Sequence, residues 1–447
     1  MIGGKVSLER FSYIHPNADV GVESHRFHRE KLVRVRAELL EPGENQALSR
    51  VLKASEVNLP ENGRLLLSEF GLKPIKGLPI IEDGQEYVDG NALFIDNTSN
   101  KADRMGISNP GAGRSVTLSE GWIFEEGQVC LDHQIKGSGR TRSAPLLFLK
   151  KNTGDKGGSD WWVGLSTGGF TDVLGTDLAR EKGVLTPRIL PSMDLNEVVI
   201  KGKKVNDKVK FNNTLSLVHR AWGSDRRLNS YYRATSPYFI VSDLDLIARE
   251  PEISLRIFNT RARRFIKKVQ VVNQFNKDYR TNFFVGCSKY FDGEYTLHGY
   301  SKAFLAQMVA NTSAMIAGDI WHCNLSAQNV SEAGELGDWG SHGSVNAEGD
   351  LVIRGYKIDP GRLEESRAKL SLRVVRNTYL AQSLITALSG EKVLPIKTYW
   401  NMVRNCLPET SLVTSLDWQE LCNQTKALDT AVWEEAFRNV SNSIRRV

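Results

Sequence analysis

The sequence predicts an α+β fold in two lobes, the first strand-rich and the second helical. Two observations carry the prediction. Through the first half, short runs of β character are broken by Gly, Pro, Asn and Asp too often for long helices, as in "NGRLLLSEFGLKPIKGLPIIEDGQEYVDGNALFID". From about residue 245 onward, apolar positions recur at helical spacing. The change falls in "RATSPYFIVSDLD", so the expected domains are a strand-rich lobe, 1–245, and a helical lobe, 246–447. A chain of 447 residues is long enough for two or three cores, and a cleft between lobes is a favoured place for a ligand.

Taken in order, "GRSVTLSEGW" and "QVCLDHQIKG" read as a strand pair around a turn at Glu125 to Gly127. After the Gly-rich "NTGDKGGSD", "TGGFTDVLGTDLAREKG" reads as a helix stopped by Gly183. "VLTPRILPSMD", "NEVVIKGKKV" and "TLSLVHRAW" read as strands. "DLIAREPEISLRIFNTRARRFIKKVQVVNQF" is helical with a basic face, "SKAFLAQMVANTSAMIAGDIW" is a strong helix, and the last eighty or so residues are mostly helical.

Composition excludes several classes. With 40% hydrophobic and 25% charged residues the chain is an ordinary soluble one. A net charge of +6 suits an anionic small ligand as well as nucleic acid, and nothing in the pattern selects nucleic acid. No apolar run reaches membrane-spanning length, and "MIGGKVSLERFSYIHPNAD" lacks the apolar core of a signal peptide. The five cysteines are scattered without CxxC pairs, so free thiols are expected and a zinc site is not. The expectation is a cytoplasmic protein with no membrane and no nucleic-acid partner.

The stretches that could carry chemistry form a series. In "NPGAGR", Gly111 and Gly113 allow close backbone approach and Arg114 could meet a phosphate, although a plain turn reads the same way. In "DHQIKGSGRT", Lys136 ends a strand and could bind phosphate oxygens as a point charge; a solvated strand-end lysine is the plainer reading. "FTDVLGTDLA" places Asp172 and Asp177 on a helix, and a helix carboxylate is the device kinases use to hold a strand lysine. "HRAWGSDRR" supplies Arg220 and Arg227, two guanidinium groups that could clamp a polyphosphate. Finally "WHCNLSAQNVSEAGELGDWG" offers Asn329 and Asp338, hard oxygen ligands suited to magnesium. His322 precedes Asn329 by the spacing of the kinase catalytic loop. The order of Gly-rich turn, strand Lys, helix acid, Asn and Asp points to a bilobal protein-kinase-like fold that binds ATP and magnesium.

These residues resemble the SelO (YdiU) family of protein adenylyltransferases. "NPGAGR" is similar to that family's QLGDGR turn and "DHQIKGSGRT" to its HLKGAG strand. "TDVLGTDLAREKGVLTPRIL" is similar to its RExLxSEAMxxLGIPTTRAL segment. "HRAWGSDRR" keeps its two arginines, and "HCNLSAQNVSEAGELGDWGSHG" is similar to its HGVMNTDNMSxxGLTxDYGPFGF segment. The resemblance runs from about residue 105 to 345. It implies ATP bound in the reverse sense to a kinase, with Lys136, Arg220 and Arg227 on its phosphates, Asp172 orienting Lys136, and Asn329 and Asp338 holding magnesium. It also implies transfer of AMP to a hydroxyl of a protein or peptide acceptor, with pyrophosphate leaving.

The departures bear on mechanism. Gln328 stands where the family has its presumed base, Asn324 occupies the kinase base position, and Ala112 replaces the acid of the first turn. The family's second GDGR segment is replaced by "NTGDKGGSD", with Asp155 as its candidate acid. A glutamine accepts no hydroxyl proton usefully at neutral pH. Three readings stay open: a nucleotide-binding pseudoenzyme, another base such as His322 or His342, or a nucleophile that needs no base. A carboxylate is such a nucleophile, because it is already an anion. Three other signals have plain readings: "RARRFIKKV" as a solvated basic face, Trp161 and Trp162 as core, Cys406 and Cys422 as unpaired buried thiols rather than a redox pair.

Overall fold

The computed structural model describes residues 31–36, 61–74, 94–95, 104–108, 115–118, 120–124, 126–138, 166–167, 169–190, 192–195, 198–200, 203–205, 215–231, 241–353, 356–408 and 430–447. The fold is mixed α+β. Strands crowd the earlier half, and the long helices come after residue 240. Two compact units divide the chain. One comprises Met1–Val173, Pro187–Arg226 and Arg233–Pro237; the other comprises Leu174–Thr186, Arg227–Tyr232 and Tyr238–Val447. Gly111, Gly113 and Arg114 lie outside the described residues, as do Asp155, Trp161, Trp162 and Cys422.

The first unit is organised on a nine-stranded sheet. Its path runs Arg188–Ile189, Leu215–Trp222, Asp132–Lys136, Ser115–Leu118, Arg104–Ser108, Lys31–Arg36 and Phe94–Ile95, every pair antiparallel. Asp132–Lys136 is central and buried along its whole length. Lys136 lies opposite Ser115 on one side and Val218 on the other, and Gln134 lies opposite Thr117 and Arg220. Directly opposed residues share a face and successive residues alternate. Thr117, Gln134, Lys136, Val218 and Arg220 therefore line one face. Val116, His133, Ile135 and His219 line the other. A one-residue slip would turn Lys136 away from its neighbours, so this register decides the site.

The helix Gly169–Glu181 contributes its first turn to this unit. Gly169 lies against Ser216, its N–H donating to the Ser216 hydroxyl at 3.1 Å, and an added Cβ would meet Ser216 at 2.5 Å. Val173 then buries against Ile189 and Val218 on the face that carries Lys136. At the other end the predicted stop at Gly183 is realised: φ is +87°, Gly183 N–H donates to Arg180 O, and Val184 N–H donates to Ala179 O.

In the second unit, helices Pro251–Tyr279, Leu297–Ala317 and Leu363–Leu388 supply the core. The Leu297–Ala317 helix starts on a Thr296 cap that accepts from Gly299 N–H. It is buried along most of its length, and the buried residues include the polar Gln307, Asn311, Thr312 and Ser313. The rings of Phe258 and Phe265 lie 6.2 and 5.7 Å from that of Tyr300. A four-stranded antiparallel sheet follows, ordered Ile320–His322, His342–Val345, Leu351–Ile353 and Tyr356–Lys357. The basic helix face is only partly solvated. Arg263, Arg264 and Lys267 are exposed, but Arg261 is buried with its guanidinium 5.8 Å from the Tyr231 ring. Cys130, Cys287 and Cys323 are buried and in no disulfide, while Cys406, expected to be buried, is exposed and likewise in none.

Candidate functional site

Within the first unit, the strand lysine and the helix acid meet. Lys136 Nζ is 2.9 Å from Asp172 Oδ2, and Arg220 donates to the same carboxylate oxygen. The plain reading of Lys136 as a solvated strand-end residue is thereby excluded: it is 9% exposed, Asp172 2% and Arg220 2%. Charges so buried need partners, and here one carboxylate serves two cations. Lysine has three donors and arginine five, so each can meet a further anion in addition to Asp172.

A polar row backs this group. Gln134 Nε2 donates to both oxygens of Asp225 at 2.9 and 3.0 Å, and Thr117 also donates to that carboxylate. The Gln134 amide oxygen accepts from Trp222 Nε1 at 3.2 Å and lies 3.5 Å from Arg220. Asp225 N–H donates to Asp132 at 2.9 Å, which pins the turn after the arginine strand. Sequence reading missed Gln134, Thr117 and Asp225. The alternation along "DHQIK" carried a signal for Gln134, two residues from Lys136 on one face. Nothing local marked Asp225. By contrast Asp177, the other helix acid, pairs at 3.3 Å with Arg180 one turn on, a half-exposed bond of small worth.

In the second unit, Asn329 and Asp338 are brought together by a hairpin. Val330 bridges Leu336, Ser331 N–H donates to Glu335 O, and Gly337 N–H donates to Asn329 O at 2.9 Å. Nine residues of separation thus become near-opposition. The tip is held from below: Tyr231 OH donates to the Glu332 carboxylate and Tyr300 OH to the Glu332 carbonyl, each at 2.6 Å. Arg227 pairs through its backbone with Ser331, two residues past Asn329. Asn329 is 4% exposed and donates its amide to Asn324 O at 2.8 Å, which turns its oxygen the other way.

Asp338 has φ +68° and ψ +54°, a left-handed conformation rare for residues other than Gly and best tolerated by Asn and Asp. Strain of this kind collects at functional sites. Among the described residues no three His, Cys, Asp or Glu side chains gather as a metal cage. Asn329 and Asp338 instead supply two oxygen donors, a set that suits magnesium when phosphates and water complete its shell.

The geometry disposes of one candidate base. His322 is fully buried; Nδ1 accepts from Asn324 N–H at 3.2 Å and Nε2 lies 2.8 Å from Gly337 O. A carbonyl only accepts, so Nε2 carries the hydrogen and both nitrogens are used. His322 is a brace across the hairpin's base, its ring tilted by 53° against that of Trp339 with the centroids 4.6 Å apart. His322→Phe keeps the ring but leaves both backbone groups unpaired, and is expected to cost about 2–3 kcal/mol in chemical denaturation. His342 Nδ1 lies 2.9 Å from Trp339 O, which leaves Nε2 as its accepting nitrogen.

The helix Gly169–Glu181 returns here through Gly175. A Cβ there would lie 2.5 Å from His342 Nδ1 and 2.7 Å from Trp339 O. In an open helix Gly→Ala stabilises by up to about 1 kcal/mol. Gly175→Ala is expected to do the reverse, destabilising by about 1–3 kcal/mol through overpacking against the turn that follows Asp338. Thermal melting of the two proteins reads the sign.

No family model matches the chain, and no curated protein is significantly similar to it. Among the described residues, no helix is long and apolar enough to cross a membrane.

Proposed function

We propose that the chain is a kinase-like nucleotidyltransferase that uses ATP and magnesium to transfer AMP to a protein or peptide acceptor, as the likeness to SelO proteins implies. The observation that carries this reading is the buried Lys136–Asp172–Arg220 group. Fixed cations whose positions are set by a shared carboxylate are suited to phosphate oxygens and need little rearrangement as charge develops. In this reading Lys136 and Arg220 bind phosphate oxygens and Arg227 adds a third cation. Asn329 and Asp338 would hold magnesium, which supplies charge neutralisation to the phosphates when bound. An acceptor oxygen attacks the α-phosphorus, the bond to the β-phosphate bridging oxygen breaks, and pyrophosphate leaves with the electron pair.

The acceptor reading follows from the substituted base positions, with His342 the one sequence candidate that keeps an accepting nitrogen. Asn324 and Gln328 cannot take a proton, and His322 is committed at both nitrogens. A carboxylate acceptor needs no deprotonation, so its adenylation uses only the groups present. The product is then an acyl-AMP mixed anhydride, the activated form of a carboxyl group.

The test uses purified protein with magnesium and ATP labelled on the α- or the γ-phosphate. The expected result is transfer of α-label with release of pyrophosphate. Transfer of γ-label would make the chain a phosphotransferase. ATP binding with no turnover across carboxyl and hydroxyl acceptors would make it a nucleotide-binding scaffold.

A further inference from the structure

Beside the Asn329 hairpin lies a groove of about 230 Å³, bounded by Asn324–Ala327, the Leu363–Leu388 helix, Leu228 and Trp433. The helix contributes one stripe at helical spacing. Arg373 and Arg376 stand at its start, and Leu380 and Leu384 follow on the same face. One end of the groove is cationic and the other apolar. The cationic end is the one at the hairpin, because Asn377, next to Arg376, donates its amide to Leu325 O at 2.8 Å. Asn324, the neighbour of Leu325, gives its carbonyl to Asn329.

Two features of the groove call for an anion. Among the described residues no carboxylate pairs with Arg373 or Arg376; the Arg376 Nε–H goes to the neutral Asn377 Oδ1 at 3.0 Å. Burial first, and then the Arg373 charge beside it, hold Arg376 below the ordinary guanidinium value, so an anion here relieves like-charge repulsion. Independently, Ser326 lines the groove at 8% exposure, and its buried hydroxyl has no hydrogen-bond partner. A native buried hydroxyl without a partner is uncommon and fits one waiting for a ligand.

We propose that this groove is the acceptor site and takes the C-terminal carboxylate of a peptide that ends in apolar residues. The carboxylate lies on Arg373, Arg376 and Ser326, and the preceding apolar side chains lie along Leu380, Leu384 and Trp433. The stripe from Arg373 to Leu384 is about 16 Å long at the helical rise per residue. That is the reach of about five extended residues, more than a single amino acid fills. The proposal rests on the AMP-transfer reading. A carboxylate oxygen bonds to the α-phosphorus as the bond to pyrophosphate breaks, and no proton moves. Arginine pairs bind carboxylates bidentately, which fixes the attacking oxygen.

The experiment passes two pools of synthetic hexapeptides, randomised in sequence and alike except for a free or an amidated C-terminus, over the immobilised full-length protein. Retained peptides are identified by mass. The expected result is at least about 10-fold enrichment of free-carboxylate peptides with apolar final residues. That preference is lost in Arg373→Gln/Arg376→Gln, judged only where the variant's melting temperature matches the parent's. Arg373→Gln alone, at an exposed position, serves if the double variant misfolds. Equal retention of both pools, or an unchanged preference in the variants, overturns the proposal. Displacement of retained peptides by hexanoate at the concentration at which it binds alone also overturns it, in favour of a small acid. ATP binding is measured separately. If nucleotide binds and no carboxylate preference exists, the groove assignment fails alone. If the preference exists but the retained peptides never yield hydroxamate with ATP, magnesium and hydroxylamine, the acceptor role is overturned.

Discussion

Asp172→Ala is expected to destabilise the protein by about 3–5 kcal/mol, the size of effect that follows removal of one member of a buried ionic group. Both Lys136 and Arg220 lose the carboxylate they share, and both are nine-tenths or more buried. Neither can turn its charge to water without opening the sheet face on which it stands. Lys136→Met is expected to destabilise by less than half as much, because Asp172 keeps Arg220. Urea denaturation separates the two: the midpoint falls steeply for the first variant and modestly for the second, with an unchanged m-value in both. ATP affinity should show the opposite pattern among folded proteins, with Lys136→Met already severely impaired. An Asp172→Ala protein within about 1 kcal/mol of the parent would mean that the carboxylate does not anchor these cations.

Asp338→Asn is expected to lower α-label transfer by about 100-fold or more, with melting nearly unchanged. Asparagine has the volume of aspartate and accepts the left-handed backbone that Asp338 adopts, so the substitution removes charge without disturbing the turn. Asp338→Ala loses the same charge and adds backbone strain of about 1–2 kcal/mol. The pair therefore distinguishes ligand loss from turn distortion: equal loss of activity with unequal stability is the expected outcome. Raising magnesium should restore part of the Asp338→Asn activity, since a neutral oxygen remains. If Asp338→Asn transfers label as the parent does, Asp338 holds no catalytic metal.

Much of the architecture follows from local rules. Gly183 stops its helix where the periodicity ends because only a residue without a Cβ takes φ +87° freely. Thr296 and Pro251 start helices because one accepts from an unpaired N–H and the other needs none. The residue types of the site were legible for the same reason: a strand lysine before glycines, a helix acid, two arginines, an Asn and an Asp in order.

What the sequence by itself determined was therefore the α+β class, the helix and strand order and the list of charged candidates. Their pairing was decided by tertiary structure. Which acid meets Lys136 depends on a register that sets Arg220 opposite Gln134 and on Gly169 seating the helix against Ser216, so that Asp172 is chosen and Asp177 is left at the surface. Asp225, Ser326 and the Arg373–Arg376 pair carry no local mark, since an Asp in a turn or arginines one turn apart read as solvated. His322 read as a possible base until two backbone contacts, to Asn324 and to Gly337 fifteen residues away, occupied both its nitrogens. Local propensity acts over a turn or a strand; burial and hydrogen-bond completion act between segments distant in the chain, and only the closed fold says which segments those are.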